Sequence, residues 1–455
     1  MITRRSLVAA ALLAVIAGAS PNPARAADPV VVGAGDIADC TTDADEATAA
    51  LLDGIAGTVV TLGDNVYRTG TAAEFRDCYA PTWGRHLART RPAAGNHDYM
   101  TDGAAGYFGY FGASAGDPSR GYYSYDLGTW HVVVLNSNCA LVGGCGADSP
   151  QAAWLRADLT ASAGKSVLAY WHHPRFSSGS HGGSASVQAF WEILYAAGAD
   201  IVLNGHDHDY ERFAPQDPWA QPDARFGIRQ FVVGTGGTVL RARASVARNS
   251  ESFASTHGVL RLTLRPGAYD WSFETISRST LDRGTGQTHG APPPRTTRTF
   301  RVTSDTYVDQ ARPNSNFGTR SRLLIDGDTG SGLDRHGYIR ATVSGLTGTV
   351  DRAYLRLWVT NPTKDGPRVY PTTATWSGKT LTWRNRPAAI GPAASDAGRI
   401  PIGTWVKLDV TSIVRGNGRY GFLLRPTSAD GLNVASLQST KPPRLVVETV
   451  PSTGG

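Results

Sequence analysis

Between Val30 and Val233, short apolar runs alternate with stretches of helical periodicity. The runs are Val30–Val32, Thr58–Leu62, His131–Leu135, Ser166–Tyr170, Ile201–Leu203 and Gln230–Val233; the helical patterns fall at Asp45–Ile55, Gln151–Thr160 and Val187–Ala197. Runs this short bury as strands, and strands separated by helices build an α/β domain. Val259–Arg265 and Tyr269–Ile276 flank Pro266-Gly267 and read as a hairpin that closes it.

The ends of the runs carry the chemistry. Val30-Val31-Val32-Gly33-Ala34-Gly35 leads to Asp36, and Thr58–Leu62 leads to Gly63-Asp64-Asn65-Val66-Tyr67. Arg91–Ala94 leads to Gly95-Asn96-His97-Asp98, and Leu168–Trp171 to His172-His173-Pro174. Ile201–Leu203 leads to Asn204-Gly205-His206-Asp207-His208-Asp209-Tyr210-Glu211-Arg212. Ligands in α/β sheets gather beyond the carboxyl ends of the strands, so these five endings can converge on one site. Glycine beside the carboxylates and the amide permits tight turns and close backbone approach. Imidazole is the commonest protein ligand for transition metals, and carboxylates complete a donor set large enough for two ions.

With all five blocks in order over roughly residues 30 to 275, the chain resembles the calcineurin-like metallophosphoesterases. It is most similar to their purple acid phosphatase branch. Most of that superfamily opens on D-x-H, whereas Asp36-Ile37-Ala38 places alanine at the histidine position. Tyr67, three residues past Asp64, has the G-D-x-x-Y spacing of the purple enzymes, whose tyrosinate is a hard donor suited to Fe(III). The branch usually has D-x-G where this chain has Ala38; Asp39 just beyond it reads as a structural residue. The resemblance implies a metallophosphoesterase β-sandwich flanked by helices. It implies a first metal, Fe(III), on Asp36, Asp64, Tyr67 and His208. A second, Fe(II), Zn(II) or Mn(II), would sit on Asp64, Asn96, His172 and His206, with Asp64 bridging. His97 would face substrate, Asp98 would orient His97, and His181 would match an outer-sphere histidine of the plant enzymes. His173 stays open between the site and packing beside Pro174, while Glu211 and Arg212 read as buried support.

The implied activity is hydrolysis of phosphate monoesters by in-line attack of metal-bound hydroxide, two cations roughly 3.5–4 Å apart clamping the phosphate. Ser137, Ser177 and Ser178 have no base triad around them and read as loop serines. The aromatic, Gly-rich stretch Tyr99–Phe111 either lines the pocket or pins a long loop. Two alternatives are a divalent-metal phosphodiesterase or alkaline phosphatase of the same superfamily, and a catalytically inactive surface polysaccharide-binding protein.

Residues 1–26 read as a secretory signal: Arg4 and Arg5, an apolar stretch from Leu7 to Ala19, then Ala24-Arg25-Ala26. Thr3-Arg4-Arg5-Ser6-Leu7 resembles a twin-arginine signal as much as an ordinary one. The apolar stretch falls short of the roughly 20 residues that span a bilayer, and no later one is longer. The expected location is secreted or extracellular, with cell-wall association as an option. The formal charge of +6 includes Arg4, Arg5 and Arg25 with no acid in the signal, so the exported chain has about +3. That is too little to argue for nucleic acid. Cys40, Cys78, Cys139 and Cys145 are even in number and lack C-x-x-C spacing. Export favours two disulfides, Cys40–Cys78 and Cys139–Cys145, the second closing a short Gly-rich loop.

The catalytic domain is expected over 28–282, followed by a Gly/Thr/Pro linker over 283–297 and a β domain over 298–450. Short alternating strands with no helix mark the last segment as an all-β sandwich or jelly roll. Asp305-Thr306-Tyr307-Val308, Pro313–Gly318 and Leu381–Pro387 resemble a DNRLRE-type module, some relatives of which bind polysaccharide. Trp376, Trp383 and Trp405 are its candidates for stacking on sugars, and Asp326 with Asp328 for a structural Ca²⁺.

Overall fold

The computed structural model describes residues 27–327, 333–398 and 400–450. The signal-like segment and Asp328 lie outside the described residues. Two sheets form the first domain. One has the order β15-β14-β13-β1-β3-β5. Its strands β1 (Val30–Ala34), β3 (Thr58–Leu62) and β5 (Thr90–Ala93) are parallel, and the antiparallel β13 (Gly258–Arg265), β14 (Ala268–Thr275) and β15 (Thr280–Gln287) extend it. The other sheet runs β12-β10-β11-β9-β8-β7-β6. Within it β7 (Trp130–Val134), β8 (Ser166–Tyr170), β9 (Ile201–Asn204) and β11 (Arg229–Val233) are parallel. The flanking β6 (Tyr123–Leu127), β10 (Tyr210–Phe213) and β12 (Ser250–Ala254) are antiparallel. A two-stranded pair, β2 (Ala38–Asp39) with β4 (Val66–Tyr67), links the first two ligand turns.

Period-two alternation explains the sandwich. Val132, Val134, Leu168, Tyr170, Ile201 and Leu203 face the core shared by the two sheets. Their sequence neighbours Val133, Val167, Ala169 and Val202 face a second core under the helices Pro150–Ala161 and Gln188–Ala197. Both faces of these strands are therefore buried, which is why they read as continuous apolar runs. Ser149 caps the first of those helices, its Oγ accepting from Ala152 N at 3.2 Å, with Pro150 in the first turn. The helix Ala44–Asp53 covers the other sheet with Ala49 and Leu52.

One reading of the sequence changes here, one open alternative is decided and one expectation holds. Residues 283–287, read as linker, belong to β15, which pairs along β14 through Gln287. Their glycines leave room for the rings of Tyr269 and Trp271 on the neighbouring strand, so a composition suited to a linker also suits an edge strand. The stretch Tyr99–Phe111 contains a short helix, Ala105–Phe111, with Tyr107, Phe108 and Phe111 buried among Phe75, Tyr79 and Tyr110. Its rings pin the segment to the core. Both disulfides pair as expected, Cys40–Cys78 and Cys139–Cys145, with Cα atoms 5.2 and 5.1 Å apart.

The second domain is all-β and antiparallel around its own core. The long strand Thr296–Asp309 pairs first with Arg444–Val450 and then with Arg335–Val343, turning from one layer to the next at an irregularity near Val302. Trp376 is buried in this domain; Trp383 lies under Arg386, and Trp405 packs edge-on to Trp358. Asp326 is taken by Arg335, 3.2 Å away. Arg352 joins the domains, its guanidinium donating to Asp217 at 2.5 Å and also to Asp223 and Tyr195. Lys407 sits 3.7 Å above the Trp219 ring beside it.

Candidate metal centre

The carboxyl ends of β1, β3, β5, β8 and β9 meet at one edge of the sandwich. Leaving these strands, Asp36, Asp64 and His206 adopt φ of 60°, 50° and 74°. Left-handed backbone is uncommon for residues with a side chain and clusters at functional sites. Glycine is required where the turns touch. A Cβ on Gly63 would lie 2.5 Å from His172 Nδ1, and one on Gly95 would lie 2.1 Å from Asp64 Oδ1.

The side chains then converge. The Tyr67 hydroxyl donates to Asp36 Oδ1 at 2.9 Å and lies 3.1 Å from Asp64 Oδ2 and 3.2 Å from His208 Nε2. His172 Nε2 lies 3.2 Å from Asp64 Oδ2, 3.1 Å from Asn96 Oδ1 and 3.2 Å from His206 Nδ1. Donor atoms of Asp36, Asp64 and His172 all fall within 4.8 Å of one another, as do those of His172, His173 and His206. All seven expected ligands are thus together, and His173 joins them. Its Nδ1 is 2.8 Å from Ser137 Oγ and its ring 4.4 Å from that of His206.

The surrounding hydrogen bonds orient lone pairs inward. His172 Nδ1 donates to Leu62 O at 2.8 Å and His208 Nδ1 to Val239 O at 2.7 Å, leaving each Nε2 toward the cluster. Backbone N–H groups hold the acids: His206 N donates to Asp36 Oδ2 and His97 N to Asp64 Oδ1. Carboxylate, amide and imidazole acceptors facing one another at 3.1–3.4 Å repel unless a proton or a cation lies between them. The donor set fits cations of the transition series.

Charge in the cluster is strongly coupled. Burial pulls the His172 imidazole down, but Asp64 and Asp36 reverse the sign and raise it to about 9. His206 goes the other way, depressed by burial and by its histidine neighbours, and His173 falls to about 3 by burial and His172. Burial and the two aspartates push the Tyr67 phenol well above its usual range.

Of three residues expected around the metals, His97 and His181 reach the cluster and Asp98 does not take its expected role. Asp98 turns away from His97: its carboxylate accepts from Gly95 N at 2.8 Å, Asn65 Nδ2 at 2.9 Å and Asn65 N at 3.2 Å, and burial with nearby Asp64 raises its carboxyl. His97 is held instead by its Nδ1 proton on Arg68 O at 2.7 Å, which aims Nε2 at Asp64, 3.9 Å away. Adjacency in sequence does not put two side chains on one side of a turn, and three N–H donors outcompete one imidazole for a buried carboxylate. His181 does reach the rim, its ring 4.4 Å from that of His206 and 6.2 Å from that of His208. Its Nε2, however, is 2.9 Å from Arg241 Nη1. No motif marks Arg241, which lies 60 residues away. Asp39 serves its own turn, accepting from Thr41 N and Oγ1. Glu211 is buried under Ser178 N at 2.7 Å, and Arg212 donates to Asp282 at 2.7 Å.

Comparison with known proteins adds a family frame. Residues 17–210 match the family model of calcineurin-like phosphoesterases, and residues 296–449 that of carbohydrate-binding module family 96. The chain is 30% identical over 192 residues to purple acid phosphatase 15 of Arabidopsis thaliana, covering 34% of this chain and 35% of that protein. It is 30% identical over 230 residues to purple acid phosphatase 21 of the same plant, covering 44% and 51%. It therefore spans between about a third and a half of the length of these curated relatives. Among solved structures it is similar to purple acid phosphatase PPD1 from yellow lupin (Lupinus luteus), at 18% identity and a TM-score of 0.45, covering 59% of this chain and 55% of that one.

Proposed function

The chain carries a calcineurin-like phosphoesterase domain followed by a module of carbohydrate-binding family 96, and on that premise we propose an exported phosphomonoesterase of the purple acid phosphatase type. The observation that carries this reading is the convergence of Asp36, Asp64, Tyr67, Asn96, His172, His206 and His208 at the strand ends. Asp36, Asp64, Tyr67 and His208 would hold the first ion; Asp64, Asn96, His172 and His206 would hold the second. Two cations there supply an activated water, a clamp on the phosphate oxygens and neutralisation of developing charge. The phenolate oxygen of Tyr67 favours Fe(III) at the first position, and the imidazole- and amide-rich second position suits Fe(II), Zn(II) or Mn(II).

The chain's own groups do the rest. Nδ1–H of His97 is committed to the Arg68 carbonyl, so Nε2 faces the site; as the imidazolium, with a second proton on Nε2, His97 would donate to the phosphoryl group or pass that proton to the leaving oxygen. The carbonyls of Leu62 and Val239 fix the tautomers of His172 and His208, keeping both Nε2 atoms free to ligate. Both disulfides suit an oxidising compartment outside the cell. The second domain would bind cell-wall or extracellular polysaccharide and keep the phosphatase near its substrates.

Hydrolysis of 4-nitrophenyl phosphate by the metal-loaded full chain, followed beside its absorption spectrum, tests this. Turnover with a visible tyrosinate-to-iron band is the expected result. A folded, metal-loaded chain that turns over no ester would sink the enzyme reading. Turnover with no band from iron-loaded protein would move it to the colourless divalent-metal relatives.

A further inference from the structure

The hydrogen bonds of His181 assign its proton. Its backbone N donates to Asp207 Oδ1 at 2.8 Å, and its Nδ1 lies 3.3 Å from the same oxygen. Its Nε2 lies 2.9 Å from Arg241 Nη1. A guanidinium has five donors and no acceptor, so Nε2 must accept and the imidazole proton must sit on Nδ1, facing Asp207. In that state His181 has no proton to offer an incoming phosphate. What the rim presents in its place is a permanent cation.

Arg241 is firmly placed. Its backbone N donates to His208 O at 2.9 Å, two residues past the carbonyl of Val239 that holds His208 Nδ1. The loop beyond it is tied down by Ala244 N and Ser245 N, which donate to Ser178 O at 3.0 and 3.1 Å. Beneath it Asp207 is fully buried and takes the Ser177 hydroxyl as well. The chain of contacts Asp207–His181–Arg241 therefore sets a guanidinium at a fixed point on the rim. It touches Nε2 of the His181 ring, which itself packs 4.4 Å from the ring of His206.

We propose that Arg241, positioned by His181 on Asp207, is a specificity-determining residue that selects phosphate esters whose leaving group carries a second negative charge, such as a carboxylate or a further phosphate. The guanidinium bonds to Ser180 Oγ and His181 Nε2 and to none of the seven candidate ligands, so the charge it offers lies beside the cluster, where a second anion on the leaving group can reach it. A planar fork of donors recognises carboxylate and phosphate oxygens in pairs. This proposal rests on the phosphoesterase reading of the cluster.

Binding, measured by calorimetry on the metal-loaded full chain, tests it without turnover. The probes are phenylphosphonate and 4-carboxyphenylphosphonate, neither of which is hydrolysed. Wild type is expected to bind the carboxylated probe about tenfold more tightly, the scale of one charge-assisted hydrogen bond. Arg241→Ala should bring the ratio of the two affinities to about one, and Arg241→Lys should restore part of it. A wild type without preference, or a preference that survives in Arg241→Ala, overturns the proposal. The two matching aryl phosphates separate it from the reading beneath it. Selective binding with neither ester hydrolysed supports the anion site and fails the phosphatase; hydrolysis of both with no binding preference does the reverse.

Discussion

Tyr67 gives the site its most specific signature at the scale of single residues. Its hydroxyl touches Asp36, Asp64 and His208 at once, so an ion at that point has the phenol oxygen as a donor. Tyr67→Phe in iron-loaded protein is expected to abolish the visible band while near-native circular dichroism persists; a band that survives would rule the tyrosine out as ligand. His97 makes the second prediction. With Nδ1 spent on Arg68 O, its remaining nitrogen is the group available for proton transfer, and His97→Ala should lower kcat by about 10²–10⁴-fold with metal content kept at the wild-type level. A loss of metal in step with activity would make His97 a structural residue. The convergence of the seven candidate ligands and His97 was legible in the sequence because each lies in a short motif at a strand's end. Asp98 was misread and Arg241 missed for a common reason: which way a side chain turns, and what lies 60 residues away, are not local properties.

Strand ends and hairpins carry the next set of consequences. Gly95 lets the β5 turn lie against Asp64, with no room for a methyl group. Gly95→Ala is expected to cost about 1–3 kcal/mol by overpacking and to lower metal stoichiometry, read by elemental analysis; full loading in the variant would show that the turns tolerate separation. Away from the site, His131 clasps the β6–β7 hairpin to the helix Pro150–Ala161, its two ring nitrogens each 2.8 Å from Asp126 and Asp158. Burial pulls its pKa down, but the two aspartates outweigh it and the net shift is upward. A raised pKa in the folded state means the stabilisation is complete below the unfolded pKa and lost as pH rises through the folded one. His131→Gln should therefore destabilise by about 1–2 kcal/mol at mildly acidic pH and by less at alkaline pH, measured by urea unfolding. An effect that grows with pH would reverse the sign assigned here. The parallel strands were readable as apolar runs because both their faces are buried; β15 was not, because its glycines make room for neighbouring rings instead of filling a core.

For the whole molecule, Arg352 matters most. It bridges the domains onto Asp217, which is fully buried, and onto Asp223 and Tyr195. Removing one partner of a buried ion pair leaves an uncompensated charge at a cost of about 3–5 kcal/mol. Arg352→Ala should thus split thermal unfolding into two calorimetric transitions where the wild type shows more closely coupled ones; an unchanged trace would make the bridge energetically idle. Chelation belongs to this scale too. Ions bound by the folded chain alone add about 2.7 kcal/mol when present at a hundred times their Kd. A chelator should therefore lower the first domain's transition and leave the second's in place.

The sequence by itself determined that an α/β domain precedes an all-β one and which seven side chains gather at the strand ends, and it favoured the cysteine pairing that the structure shows. These are properties of local pattern: period, turn residues and short spacings around each ligand. Only the tertiary structure decided the remainder. It turned Asp98 inward, buried the aromatic rings after Tyr99, gave the last glycines of the first domain to a sheet edge, and set Arg241 against His181. The physical reason is the same in each case. A polar or aromatic side chain goes where its hydrogen bonds and its volume are best satisfied, and those partners come from distant parts of the chain.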